Sequence, residues 1–241
     1  MTSGAIINIF HEHLLPLQHL SPILKTSGQH AWAALVLIFA VGIVVVLKIN
    51  ATPKLLKIIQ STYNVQVNAQ LEREEFNPFR SFSLMLNALY LLSYAFLAYK
   101  INRYYQLVYT EHSTFVQFLL FTGIILVVYM LKYTANKLVS VISNEPKLVD
   151  EFETNCFIIN YAMGIFILPW LILAELSRFN PIVFISGAVV VFVVGVLLKW
   201  YRGFLTSVLK QRIGILQILV YFCVLELLPV LVLVKYLIET F

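Results

Sequence analysis

The sequence predicts an all-α polytopic membrane protein, and three observations carry that prediction. Sixty per cent of the 241 residues are hydrophobic and only 12% are charged, about half the charge of an ordinary soluble domain. Apolar stretches recur at lengths that suit a hydrocarbon core of about 30 Å, which takes about 20 residues at 1.5 Å each. Lysine and arginine collect in alternate connecting segments, as the positive-inside rule expects of a multi-pass chain. A chain with so little polar surface cannot cover itself in water, which excludes a soluble domain. Two divisions are expected: residues 1–30 as an exterior or interfacial N-terminal segment, and residues 31–241 as a single six-helix transmembrane domain.

The start MTSGAIINIF has no basic n-region and no small-residue cleavage site follows it, so a removable signal peptide is not expected. His11, His13 and His19 lie in HEHLLPLQHL, whose leucines suggest an interfacial helix. With His30 and His112 they fall on the expected exterior. Imidazole is a common metal ligand, but this stretch fixes no ligand geometry, and solvated or interfacial histidines are the better reading. No metal site and no cofactor are expected.

The first span is Ala31–Leu47. Beyond it Leu55, Leu56, Ile59 and Tyr63 recur at helical spacing, with Lys54 and Lys57 among them. That pattern suits an amphipathic helix on the cytoplasmic face, against the membrane or a partner. LEREEFNPFR follows, in which Glu74, Glu75 and then Arg80 resemble the paired-glutamate motif of intramembrane CAAX-type proteases. Four residues separate Glu75 from Arg80 where the motif has three, and every histidine lies outside the spans. A solvated charged face is preferred. The second span is Ser81–Tyr99, and the tyrosine-rich KINRYYQLVYTEH after it is expected as a loop at the headgroups.

The third span, Thr114–Leu131, leads to the acidic cluster Asp150, Glu151 and Glu153 ahead of the fourth, Asn155–Leu176. First-turn acids are explained by the helix dipole. SRFNP joins it to the fifth span, Pro181–Leu198, with Pro181 well placed at the first helical position. The sixth is Ile213–Ile238. Trp32, Trp170 and Trp200 lie near span ends, where an aromatic belt is expected. The two cysteines, Cys156 and Cys223, lie within apolar stretches and have no metal-binding spacing.

Lys25, Lys100, Arg103, Arg178 and Lys235 fall on one side, leaving the other twelve of the 17 basic residues on the opposite side. The richer side is expected to be cytoplasmic, with both termini outside. The net charge of +5 then reads as topology, with some attraction to anionic lipid, and not as nucleic-acid binding. The odd-numbered spans share a motif in which glycine and apolar residues lead to lysine: GIVVVLK to Lys48, GIILVVYMLK to Lys132 and GVLLK to Lys199. Spans four and six share a tyrosine eight residues before a proline, Tyr161–Pro169 and Tyr221–Pro229. Repeated hairpin units are one reading; the other is that apolar helices with basic ends look alike.

Glu226 is the candidate site. It falls near the middle of the sixth span, and a charge at a bilayer centre costs at least about 2.5–3.5 kcal/mol. It should face the bundle, protonated or with a donor partner. Pro229 leaves the carbonyl of Leu225 without its usual bond, and Tyr221 opens the same register. Asn87 and Tyr90 in span two, and Asn160 and Tyr161 in span four, are the candidate partners. In this reading Glu226 stands nearly alone among buried charges, since Lys132, Lys235 and Glu175 lie close enough to span ends to snorkel.

YFCVLELLPVLVLVKYL, through Tyr221, Cys223, Leu225, Glu226, Pro229 and Lys235, resembles the closing signature of an integral-membrane domain-of-unknown-function family of Bacteroidota. Asn77–Phe79, the length and the span count are also similar. The resemblance implies an inner-membrane protein of a Gram-negative bacterium, and it implies no activity. No GxSxG, HExxH or phosphate-loop pattern occurs, which lowers the expectation of an enzyme. The first expectation is a non-enzymatic subunit or scaffold of an envelope assembly, with the bilayer and a membrane-protein partner or second copy as its contacts. The alternative is a small proton-coupled transporter with Glu226 as protonation site. A third, an enzyme acting on lipid-linked substrates, would rest on Asp150, Glu151 and Glu153.

Overall fold

The computed structural model describes residues 31–63, 81–106, 113–142, 146–177 and 179–210. Five helices make up almost all of them: α1 (Ala31–Tyr63), α2 (Ser81–Tyr105), α3 (Thr114–Ile142), α4 (Pro146–Leu176) and α5 (Pro181–Lys210). Each is long and apolar enough to cross a membrane, and no strand occurs among the described residues. The sixth expected span lies outside the described residues, as do residues 1–30, the Glu74–Glu75–Arg80 motif and all five histidines. One end of the bundle carries Lys48, Lys132 and Lys199 and is called the basic end below.

Two helices that follow a described non-helical residue start at the first residue of their expected spans, Thr114 and Pro181. The start of α5 shows why. Asn180 Oδ1 accepts from the Ile182 amide at 3.2 Å, an N-cap that satisfies one orphan donor, and Pro181 follows at the position where a missing N–H costs nothing. The helices also overrun the apolar stretches. Lys100–Tyr105, expected as loop, continues α2, and Gln106 then adopts the left-handed conformation with φ 51°, a common helix stop. α4 begins at Pro146, nine residues before the expected Asn155. Hydropathy marks where lipid begins, whereas a helix continues until its backbone finds another partner.

α1 is broken at Ala51 (φ −150°, ψ 37°), two residues before Pro53. Proline cannot donate to the carbonyl four residues earlier and disfavours helical conformation nearby. Beyond the kink the buried residues are Ile58, Ser61 and Thr62. Of the expected apolar stripe, Leu55 and Ile59 are half-buried and Leu56 is exposed.

α4 is the centre of the bundle: 61% of its most apolar stretch is buried, against 11% for α3 and 17% for α5. α1, α3 and α5 present their flanks outward, with Leu35, Ile38 and Phe39 of α1, Val127 and Leu131 of α3, and Val183 and Val190 of α5 all exposed. Lipid covers such residues at no cost.

Two seams fix the position of α4. Along α2, a Cβ on Gly164 would meet the Tyr90 Cα at 3.0 Å, and Ser93 Oγ donates to the Gly164 carbonyl at 3.1 Å. Along α5 the small residues are on the other partner: a Cβ on Gly187 would strike the Trp170 ring at 2.4 Å, and one on Gly195 the Met163 side chain at 2.6 Å. Close approach at small residues is the main packing device between helices in lipid. The glycines of the three similar inner ends have unlike surroundings: Gly42 and Gly123 face open space, whereas Gly195 is packed.

Gly164→Val should lower the thermal midpoint in detergent by several degrees, about 1–3 kcal/mol of overpacking, while Gly42→Ala should stay within about 0.5 kcal/mol of the parent. Equal effects of the two substitutions, measured by thermal unfolding, would contradict the seam.

Candidate functional site

Among the described residues, most buried polar side chains that join helices fall in two layers, with the Ser93–Gly164 bond between them. At the end opposite the basic one, Lys100 Nζ of α2 forms an ion pair and hydrogen bond with Glu175 Oε2 of α4. Their side chains are only 11% and 6% exposed. Lys100 also lies 5.5 Å from the Phe96 ring centroid and 6.0 Å from that of Tyr99, a position that favours a cation. Arg103 Nη1 donates to the Tyr99 hydroxyl at 3.3 Å. Trp32 closes the cluster: its ring meets Tyr99 and Phe118 at 5.1 and 5.3 Å, and its Nε1 donates to Thr114 Oγ1 at 3.0 Å.

The second layer lies nearer the basic end. The Tyr129 hydroxyl of α3 donates to Asn87 Oδ1 of α2 at 3.0 Å, and Asn87 is also a neighbour of the Tyr161 hydroxyl of α4. Phe157 stacks on Tyr161 and leans on Tyr129, with centroids at 6.3 and 5.9 Å. One turn from Phe157, Asn160 is 9% exposed, and its Oδ1 is buried with no hydrogen-bond partner among the described residues. Glu153, also buried, stands below this layer with Lys137 Nζ at 3.8 Å, close enough to Tyr129 to act on it electrostatically. At the same end Lys199 and Arg202 of α5 are buried, and the Arg202 guanidinium donates to the Ser61 carbonyl near the end of α1.

Of the sequence-derived candidates, Asn87 and Tyr161 come together, with Tyr90 one turn along α2 against Gly164. Asn160 is next to Tyr161 in sequence but turned to another face of α4. Glu226, Tyr221 and Pro229 lie outside the described residues. Three expectations are corrected. Glu175 does not snorkel: it is buried and paired with Lys100. Buried charge is not confined to the sixth span, because Glu153, Glu175, Lys199 and Arg202 are buried among the described residues. Glu153 is not a first-turn acid, because α4 starts seven residues earlier; Lys137 opposes it, not the helix dipole.

The Lys100–Glu175 pair had a signal in the sequence. Tyr161, Gly164, Leu168, Leu171 and Glu175 follow one another at spacings of three and four, and all are buried. That stripe places Glu175 on the face that packs against α2, at the end where Lys100 stands.

Arranged in this way, the polar groups hold an interior together: neutral hydrogen-bonding groups within the apolar layer, charges in the outer turns. This is the interior of a polytopic α-helical membrane protein. The chain belongs to a family described as "Domain of unknown function (DUF4271)", whose model matches residues 33–237. No curated protein and no solved structure matches it.

Removing one partner of a buried pair leaves the other charge stranded, whereas removing both can be nearly neutral. Lys100→Met and Glu175→Leu should therefore each cost about 3–5 kcal/mol and the double variant far less, a coupling that a double-mutant cycle of detergent unfolding measures. Tyr129→Phe removes the donor to Asn87 and should cost about 1 kcal/mol. An unchanged unfolding midpoint would show that this bond contributes nothing.

Proposed function

We propose that the protein is a non-enzymatic subunit or scaffold in an envelope assembly of the inner membrane of a Gram-negative bacterium. In this reading the basic end faces the cytoplasm and both termini face the periplasm. One observation supports it above the rest: the described buried charges occupy the outer turns of the helices, where Lys100–Glu175, Lys137–Glu153 and the Arg202 bond to Ser61 join separate helices. Such fastenings hold one arrangement of helices, which serves a docking platform better than a moving carrier.

A specific observation favours a second reading, the proton-coupled transporter. Asn160 Oδ1 is a buried acceptor without a donor among the described residues, and a protonated carboxyl such as that of Glu226 could supply one. Intramembrane carboxyls are frequent stations of proton relays.

The two readings separate in one experiment. Native protein purified in mild detergent, as wild type and as Glu226→Gln, is expected to retain the same stoichiometric partner in both forms. Absence of any stoichiometric partner would overturn the subunit reading. Proton flux in liposomes by the wild type, lost in a folded Glu226→Gln protein, would establish the transporter.

A further inference from the structure

A straight α1 would carry Ser61 about 21 Å beyond Leu47, since 14 residues rise 1.5 Å each. Instead the Ser61 carbonyl meets Arg202, which lies at the end of the apolar stretch Pro181–Gly203 of α5. Ile58 is fully buried and belongs to the same core cluster as Leu47, Leu86 and Phe157. Residues 52–63 therefore turn back at the kink and cross the basic end of the bundle from α1 towards α5, as a strap. A cation near the C-terminal end of a helix meets its negative pole, so Arg202 holds the far end of the strap down.

The strap has two faces. Ile58, Ser61 and Thr62 are buried towards the bundle, with Leu55 half-buried beside them. Thr52, Pro53, Lys54, Leu56 and Gln60 are exposed, and Lys48 is exposed just before the kink. On the neighbouring end of α5, Trp200 and Tyr201 point outward, at the level where amphipathic rings settle in headgroups. The described helices carry nine lysines and arginines at this end (Lys48, Lys54, Lys57, Lys132, Lys137, Lys147, Lys199, Arg202 and Lys210) and three carboxylates (Asp150, Glu151 and Glu153). The opposite end has Lys100 and Arg103 against Glu175.

We propose that the outer face of the strap is a binding surface for anionic phospholipid. Lys48 and Lys54 contact lipid phosphates at the headgroup level, and Trp200 and Tyr201 set the depth. Exposed lysines at the rim of this end suit that level, where the stem of a lysine lies along apolar matter and its ammonium reaches anions. The proposal rests on the strap's geometry and charge, and does not depend on the subunit reading.

The full-length protein in mild detergent is titrated with phosphatidylglycerol, phosphatidylcholine or inorganic phosphate, and thermal unfolding is followed. Phosphatidylglycerol is expected to raise the midpoint well above the effect of phosphatidylcholine, and phosphate to leave it unchanged. Lys48→Gln/Lys54→Gln should weaken the apparent phosphatidylglycerol affinity about tenfold or more, with its midpoint in phosphatidylcholine equal to wild type. Lys48→Arg/Lys54→Arg should keep the lipid effect. Equal effects of the two lipids, a phosphate effect matching that of phosphatidylglycerol, or an undiminished effect in the glutamine variant would overturn the proposal. So would an equal loss of stability by the glutamine variant in phosphatidylcholine, or loss of the effect in the arginine variant.

Discussion

The seam between α2 and α4 is the contact on which the rest of the bundle depends. Its register is constant along its length. Tyr90 meets Gly164, 74 residues on. Ser93 bonds the carbonyl 71 residues on and Lys100 pairs with the carboxylate 75 residues on. Both helices run away from the basic end, so the pair is parallel, and one offset serves throughout. Between helices in lipid there is no hydrophobic driving force, and close backbone approach at Gly164 has to supply the attraction that water supplies elsewhere. The polar contacts above and below it are then in reach without further adjustment.

The α4–α5 seam follows the opposite arithmetic. Trp170 with Gly187 and Met163 with Gly195 give residue numbers that sum to 357 and 358, as an antiparallel hairpin across Ser177–Asn180 requires. Large side chains on α4 fill the spaces over glycines on α5, and a glycine on α4 makes room for the backbone of α2. α4 is thus held on two sides by contacts of opposite design. The outer helices need only be apolar, because lipid accepts their outward faces.

Much of this architecture was legible in the sequence, and the physical reason for the remainder is specific. Starts at Thr114 and Pro181 were readable because each marks a change from polar to apolar residues, reinforced at Asn180–Pro181 by cap chemistry. Which face of each helix is buried was not readable from hydropathy, because residues that face lipid are as apolar as those that face the core. Glu175 shows the consequence. Position near a span end made it look like a snorkelling carboxylate, whereas the spacing back through Leu171, Leu168 and Gly164 to Tyr161 places it on the packed face. The course of the chain beyond Ala51 was hidden for a related reason: the helix kinks there, and the bond that holds the strap comes from Arg202, 141 residues away in sequence.

Depth also bears on the two functional readings. Asn160 lies seven residues into the apolar stretch Glu153–Leu176 of α4, about 10 Å from the basic end. In the sequence Glu226 lies 13 residues into its expected span from the same end, about 20 Å. If the sixth span is helical between its expected bounds and enters at the same level, the difference exceeds one and a half helical turns of 5.4 Å, more than a direct hydrogen bond bridges between helices of similar tilt. On that condition the transporter reading needs a proton station other than a direct Glu226–Asn160 bond, and the scaffold reading makes no such demand.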